Sequence, residues 1–488
     1  MSAGLQAARE ALAGSPAWLV GGAVRDELLG REVADYDVVV AGDPATAARA
    51  VAKAGPPAAC FALSEEFGSW RVVARDSSWQ VDVEPLRAAT LEEDLTLRDF
   101  TVNAIARPLA GGETVDPLGG AEDLRAGRLR IAGPGSFEQD PLRVLRLVRV
   151  AVELGLAPDE PTLQAARDSA RGLTSVSGER IFVELRRTIA TPSARPGIEL
   201  LADIGALGVV VPELEALRGV EQSTFHHADV YDHTLEVLDR TVELTGPDGP
   251  QCSAAAIAIE AHRPEIVSLL AEPLADEMSR GEAMRWGALL HDAAKPLTRE
   301  VRAGDGRVTF IGHDSVGAEL AREVLGRLRA SERLKAHVAG LVRHHLRLGF
   351  LVHDPQPLAR RTVYEYLRAC GPVGVDVSLL SVADRLATRG TGSERAIEAH
   401  LRLAGSLLTD ALVWRRTGPP APPLRGDELA SELGISPGPV LGDLLGEISA
   451  ASYAGEISDR AAAIARARLA LAARRQAPMA SPRGSAPG

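Results

Sequence analysis

The stretch that most restricts the fold runs from Trp18 to Val40, WLVGGAVRDELLGREVADYDVVV. Its apolar start, Trp18, Leu19 and Val20, predicts a short buried strand. Gly21 and Gly22 break that strand, and a helical segment opens at Ala23. Asp35 to Val40 is rich in valine and predicts a second strand. Asp35 and Asp37 are two apart, so on a strand both carboxylates leave the same face. A glycine turn facing paired aspartates suits a triphosphate and its magnesium ions. Backbone N–H groups at Gly21 and Gly22 can approach phosphate oxygens because no Cβ intervenes, and Arg25 can add a charge-assisted contact. A tight turn followed by a solvated aspartate pair gives the same pattern, and the pattern alone does not separate the two.

The length of 488 residues predicts about three domains. Aromatic residues are scarce at 4% while hydrophobic ones reach 45%, so the core is mostly Ala, Leu and Val, which favours helices. No apolar run approaches the roughly 20 residues of a membrane span, and the N-terminus lacks a basic-then-apolar signal pattern. Cys60, Cys252 and Cys370 are odd in number and far apart, pointing to buried thiols in a reducing cytoplasm. A net charge of −12 argues at face value against nucleic acid. Between Arg125 and Arg195, however, twelve arginines stand against eight acids, and binding depends on local patches.

The sequence GGAVRDELLG followed by DYD resembles the first motif of the class II nucleotidyltransferases, the tRNA nucleotidyltransferases (CCA-adding enzymes) and bacterial poly(A) polymerases. That resemblance implies an α+β, polymerase-β-like head over residues 1–135, with Asp35 and Asp37 holding Mg2+ and Gly22 and Arg25 at the phosphates. Asp82, on another alternating stretch, is a weaker candidate for the same metals. LEEDLTLRDFTVNAIA resembles the family's arginine-aspartate-phenylalanine-threonine motif, with Leu97 where the usual form has a first arginine. Arg98 is left as the nucleotide contact, and Asp99 and Asn103 share a face of an expected helix. Asp116-Pro117, Gly119-Gly120 and Asp123 match a third motif, read as a turn.

An all-helical neck is expected over residues 136–215. In SFEQDPLRVLRLVRVAVELG, Asp140 and Pro141 predict an N-cap and first helical position. Leu142, Leu145 and Val148 face the core, and Arg143, Arg146 and Arg149 form a drifting basic stripe. The resemblance places a Glu-Asp-x-x-Arg motif here, with Gln139 replacing the glutamate. It implies that Asp140 and Arg143 read the base, with Arg146 also on the nucleotide. A carboxylate accepts from the exocyclic amine of cytosine or adenine, and a guanidinium donates to the adjacent ring acceptor. Arg186 and Arg187, in the family's last basic motif, are expected to be structural or RNA-facing.

Residues 220–410 carry HHADVYDHTLEVL, LLHDAAKP, FIGHDSVGA, LVRHHL and SVADRLA. An adjacent His-Asp in a leucine-rich helix needs compensation for its burial, which a metal would supply. The set resembles an HD domain, a helical metal-dependent phosphohydrolase. It implies His233, His291, Asp292 and Asp384 around one metal, and His313 with His344 (or its neighbour His345) around a second. Mn, Ni, Co, Fe and Mg all suit these ligands, and Lys295 is a candidate phosphate contact. Residues 245–280 are read as extra helices. C-terminal helices over 411–474 resemble the tRNA-facing segment of such enzymes, and 475–488 is expected to be disordered. The implied function is template-independent addition of C and A to the tRNA 3′ end from CTP and ATP, with HD phosphohydrolase activity beside it. Poly(A) polymerase, a partial CC- or A-adding enzyme, and a phosphohydrolase with a nucleotide-sensing head are the alternatives. tRNA, CTP and ATP are the expected partners, without a membrane.

Overall fold

The computed structural model describes residues 2–64, 68–221, 229–246, 253–388 and 394–476. The chain divides into two compact units, Met1–Glu215 and Ala216–Gly488. No helix among the described residues is long and apolar enough to cross a membrane.

The first unit opens with α1 (Ala3–Leu12), β1 (Ala17–Val20), α2 (Gly22–Leu28), β2 (Asp35–Val40), α3 (Pro44–Ala54), β3 (Ala58–Ser64), β4 (Ser69–Ala74), β5 (Gln80–Pro85), α4 (Leu91–Thr96) and β6 (Ala106–Pro108). The strands form one sheet in the order β3-β4-β5-β2-β1-β6. β2 runs parallel to β5, and the other pairs are antiparallel. Period-two alternation sorts the two faces. Tyr36, Val38 and Val40 of β2, with Val81 and Val83 of β5, are buried on one face. Helix α3 covers it, placing the Arg49 guanidinium 4.9 Å from the ring of Trp70, the residue paired with Val83. Asp35 and Asp37 therefore leave from the opposite face, as the two-residue spacing predicts.

The neck helix spans Arg143–Leu154 and ends at Gly155 in the left-handed conformation. It begins two residues later than expected. Pro141 and Leu142 form a turn, although the Asp140 carboxylate still accepts from Leu142 N at 3.2 Å. Leu142, Leu145 and Val148 are buried as predicted, and the helix packs on Gly178–Ala190 and Ala194–Asp203. The basic stripe is only partly solvated, with Arg143 and Arg146 half-buried. Arg149 is buried and ion-paired to Glu184 at 2.6 Å and Glu153 at 2.7 Å, so it ties the neck helices together. Arg187 also pairs with Glu153, at 3.0 Å.

The second unit is helical. Val230–Thr245, Arg280–Leu290, Glu332–His344, Gly374–Ala387 and Glu394–Thr417 surround an aliphatic core containing Val237, Met284, Leu341, Leu379 and Leu408. The 245–280 stretch contains the expected helices, Ser253–Ile259 and Arg263–Leu270, and a short two-stranded ladder. C-terminal helices Gly426–Leu433, Pro439–Tyr453 and Arg460–Gln476 have their own apolar cluster. Pro439–Tyr453 packs on Arg360–Cys370, where Arg361 pairs with both Glu447 and Glu456 at 2.9 Å. Arg475 and Gln476, expected to be disordered, belong to the last helix; the rest of the expected tail, like His226 and His227, lies outside the described residues.

Candidate active site and metal centre

In the first unit, β1, β2 and β5 bring the acidic groups together. Val20 pairs with Asp37 and Asp37 pairs with Asp82, which places Asp82 beside Asp37 on the same face. The Asp82 carboxylate is gripped by Arg71 of β4 through two hydrogen bonds of 2.8 and 2.7 Å. Asp35 is exposed. Burial, with the Glu84 and Asp82 carboxylates beside it, pushes Asp37 up to about 6 against the opposing effect of Arg98.

Gly21 turns the chain between β1 and α2 at φ +69°, the left-handed region. A Cβ there would lie 3.2 Å from Arg98 Nη1 and 3.5 Å from Asp37 Oδ2. Gly21 is thus the glycine against the carboxylate, whereas Gly22 adjoins the guanidinium of its own Arg25. Arg25 is already engaged, with Asp26 at 2.8 and 2.9 Å and with Asn103 Oδ1 at 2.7 Å.

Asn103 continues that chain of contacts by donating to Asp99 Oδ1 at 3.0 Å, and Arg146 of the neck pairs with Asp99 at 2.9 Å. Burial would raise Asp99, but Arg146, the Asn103 amide and Phe100 N–H hold it below its ordinary value. The expected helix over this motif is absent: α4 stops at Thr96, and Thr101–Asn103 is a single 3-10 turn that still lets the two side chains meet. The Asp116 turn fits against it. Gly120 is required there, because a Cβ would lie 2.0 Å from Thr101 O. Buried Asp123 accepts from Thr101 Oγ1 at 2.6 Å and Arg130 Nε at 2.8 Å.

The expected base-reading pair is held by partners that sequence did not single out. Asp140 pairs with Arg180 at 2.9 Å, and Arg143 donates to Leu97 O and Ser136 Oγ, both at 2.9 Å. Asp140 and Arg143 are three residues apart, whereas Arg180 arrives from the Gly178–Ala190 helix, which conceals the partnership in a linear reading. Arg98 Nε and Arg146 Nε are buried without a hydrogen-bond partner. Two arginines with donors to spare beside a carboxyl raised by burial match an anion with a counter-cation between them.

In the second unit, one carboxylate lies at the centre of the site. Asp292 Oδ2 is 3.1 Å from His291 Nε2, 3.8 Å from His233 Nε2 and 2.7 Å from Lys295 Nζ. Its Oδ1 is 3.3 Å from His313 Nε2 and 3.9 Å from His345 Nε2. Asp384 accepts from or faces His233 Nε2 at 3.0 Å. Among the described residues, His233, His291 and Asp292 form one candidate metal group and Asp292, His313 and His345 a second. His345 replaces His344 in the expected set. Neighbouring helical residues point about 100° apart, and His344 faces away to accept from Arg347 Nε at 2.9 Å.

The tautomers argue for a cation. His291, His313 and His345 Nδ1 lie 2.7, 2.7 and 2.6 Å from the carbonyls of Ala288, Phe310 and Val342. A carbonyl only accepts, so each Nδ1 carries a proton and each Nε2 is turned inward, the orientation that metal-bound histidines adopt. His313 and His345 Nε2 are 3.3 Å apart, and His291 Nε2 is buried without an aligned partner. Two ligands at about 2.1 Å from one ion would be separated by about this much. Burial, with His291 beside it, pushes His345 down to about 4, keeping it neutral. His291 and Lys295 hold Asp292 well below the usual carboxylate range despite its burial. The cluster opens into a cavity of about 360 Å³ that also meets Arg385, Thr388, His353 and His400.

Comparison with known proteins matches three stretches of the chain. The poly A polymerase head domain family matches residues 17–130, and the family described as "Probable RNA and SrmB- binding site of polymerase A" matches 155–217. The HD domain family matches 261–389, a range that begins after His233. An A-adding tRNA nucleotidyltransferase of Deinococcus radiodurans is 37% identical, over 90% of this chain and 92% of its own. The chain belongs to the tRNA nucleotidyltransferase family. A CC-adding tRNA nucleotidyltransferase of Thermus thermophilus is 35% identical over 91% of each chain. A multifunctional CCA protein of Xanthomonas campestris is 34% identical over 72% of this chain and 79% of its own. The nucleotidyltransferase fold extends over the chain: a CCA-adding enzyme in its apo form aligns with a TM-score of 0.62 at 18% identity, covering 96% of this chain and 93% of that one.

Proposed function

We propose that this tRNA nucleotidyltransferase adds C and A to the 3′ end of tRNA from CTP and ATP without a nucleic-acid template. The supporting observation is the grouping of Gly21, Asp37 and Arg98 on one sheet face, linked through Asn103 and Asp99 to Arg146 of the neck. Asp35 and Asp37 would hold magnesium, which when bound activates an RNA 3′-hydroxyl and offsets charge on the triphosphate. The N–H groups at Gly21 and Gly22 and the guanidiniums of Arg98 and Arg146 bind the phosphates. The RNA 3′ oxygen bonds to the α-phosphorus, the bond to the β-phosphate oxygen breaks, and pyrophosphate leaves. Arg143 donates to the ring acceptor of the base, and Asp140 accepts from its exocyclic amine, with Arg180 orienting that carboxylate. Arg25 fixes Asn103 and acts through it as a positioning residue.

A narrower reading has its own support, because two relatives matched over nine-tenths of the chain are named A-adding and CC-adding. In that reading the chain performs one part of the C-C-A sequence. The second unit serves as a phosphohydrolase whose divalent metal is held by His233, His291, Asp292 and Asp384, with His313 and His345 for a second ion. Replacing Asp35 separates the activities. Asp35→Ala should lower nucleotide incorporation by about three orders of magnitude and leave hydrolysis of p-nitrophenyl phosphate at its original rate. Unchanged incorporation would refute the proposed metal role.

A further inference from the structure

The row of residues paired across the sheet at Asp37 continues beyond the carboxylates. Val20, Asp37, Asp82, Arg71 and Phe61 are successive register partners on β1, β2, β5, β4 and β3, and directly paired residues share a face. The two-point grip of Arg71 on Asp82 fixes that face for β4. Phe61 therefore projects on the side of Asp37. Its neighbour Cys60 turns the other way, where Arg49 of α3 opposes the upward push of burial on the thiol. β3 is the outermost strand, three strand spacings from β2, or about 14 Å. The Phe61 ring is 45% exposed, and Ala59, two residues before it on the same face, is exposed and small, leaving its flank open. One exposed ring says little by itself; its place in the row of Asp37 sets this one apart. A register shift between Ala62 and Ser64 spoils the outer edge for pairing with a further strand, so an added strand does not account for it.

The phosphate-binding groups lie on the other side of Asp37. Gly21 and Arg98 stand at the β1 end of the row, and Arg146 reaches in from the neck through Asp99. In-line displacement at phosphorus puts the attacking oxygen opposite the departing pyrophosphate. With the triphosphate tail at Gly21 and Arg98, the RNA end approaches over β5, β4 and β3. We propose that Phe61 is the stacking platform for the unpaired 3′ end of the RNA substrate, holding one of its last bases while the terminal hydroxyl reaches Asp37. This rests on the nucleotidyl-transfer reading. A growing end offers a different base after each addition. Stacking suits such an end because every base has a π-face, whereas a hydrogen-bonding reader would favour one base over the others. Phe61 is thus a positioning residue: it holds the RNA and takes no part in bond making.

The test measures steady-state extension of tRNA lacking its last three nucleotides, and of tRNA ending in C-C, by the full chain and its Phe61→Leu and Phe61→Tyr variants. Leucine keeps apolar bulk and removes the ring, whereas tyrosine keeps the ring. The proposal expects KM for the extended tRNA to rise about tenfold in Phe61→Leu, the scale of one stacked base. KM for the nucleotide and kcat stay at the parent values, and Phe61→Tyr behaves as the parent. A 2-aminopurine at the tRNA 3′ end should lose fluorescence on binding the parent and keep it on binding Phe61→Leu. An unchanged tRNA KM in Phe61→Leu overturns the proposal alone. A raised nucleotide KM in both variants shows that Phe61 supports the triphosphate site, which also overturns it. Self-association of the parent that Phe61→Leu abolishes, with tRNA KM unchanged, assigns the ring to a second copy of the chain instead. A parent chain that extends neither tRNA overturns the nucleotidyl-transfer reading beneath the proposal.

Discussion

In the first unit the acidic groups near Asp37 face arginines, whereas in the second the histidines around Asp292 face one another. Arg71 grips Asp82, Arg146 meets Asp99 and Arg180 meets Asp140. Those carboxylates are charge-paired before any ligand arrives, and Arg98 Nε and Arg146 Nε keep unused donors. Around Asp292 the backbone takes the Nδ1 protons and leaves inward Nε2 atoms only 3.3 Å apart at His313 and His345. One arrangement stands ready for an anion accompanied by its cations, and the other for a cation.

The largest break in that contrast comes at Asp292. Asp292→Ala should lower Mn2+ affinity of the full chain at least about a hundredfold, read by equilibrium dialysis, while tRNA extension continues at its original rate. Loss of both would mean that the two units do not act separately. Acidity gives a graded effect in the first unit. With its carboxyl raised to about 6, Asp37 is increasingly protonated as pH falls through that value and can no longer hold a cation. At limiting Mg2+, incorporation should fall about tenfold per pH unit below this point, and added Mg2+ should move the midpoint lower. A flat profile between pH 5 and 7 would disprove this role.

The smallest effect belongs to Arg180. Its ion pair with Asp140 is solvent-accessible, so Arg180→Ala should raise KM for CTP and ATP about two- to fivefold with little change in kcat. The conservative Arg180→Lys should recover part of it. A fall in kcat instead would assign Arg180 to the chemistry and sharpen the comparison in another direction.

How much could be read from the linear chain followed from how local each signal is. Asp35 and Asp37 are two residues apart on one strand, and strand periodicity alone puts them on one face. The head, the helical neck and the His-Asp pair were legible in the same way. Partners contributed by distant elements were not: Arg71 reaches Asp82 across a strand pair, and Arg180 meets Asp140 from another helix. The helix expected over Asp99 and Asn103 gave way to a 3-10 turn, because the Asp116 turn packs closely at Gly120 and Thr101. At His344-His345 the helical phase alone decides which ring faces Asp292, and only the fold sets that phase.

The most direct measurement gives purified protein a tRNA that lacks its last three nucleotides, with CTP, ATP or both, and sequences the product ends. C-C-A is expected when both nucleotides are present, with two C residues from CTP alone. Strict addition of only C, or of only a single A to tRNA already ending in C-C, would select the narrower reading. Long A tails without C, or no incorporation at all, would contradict the account.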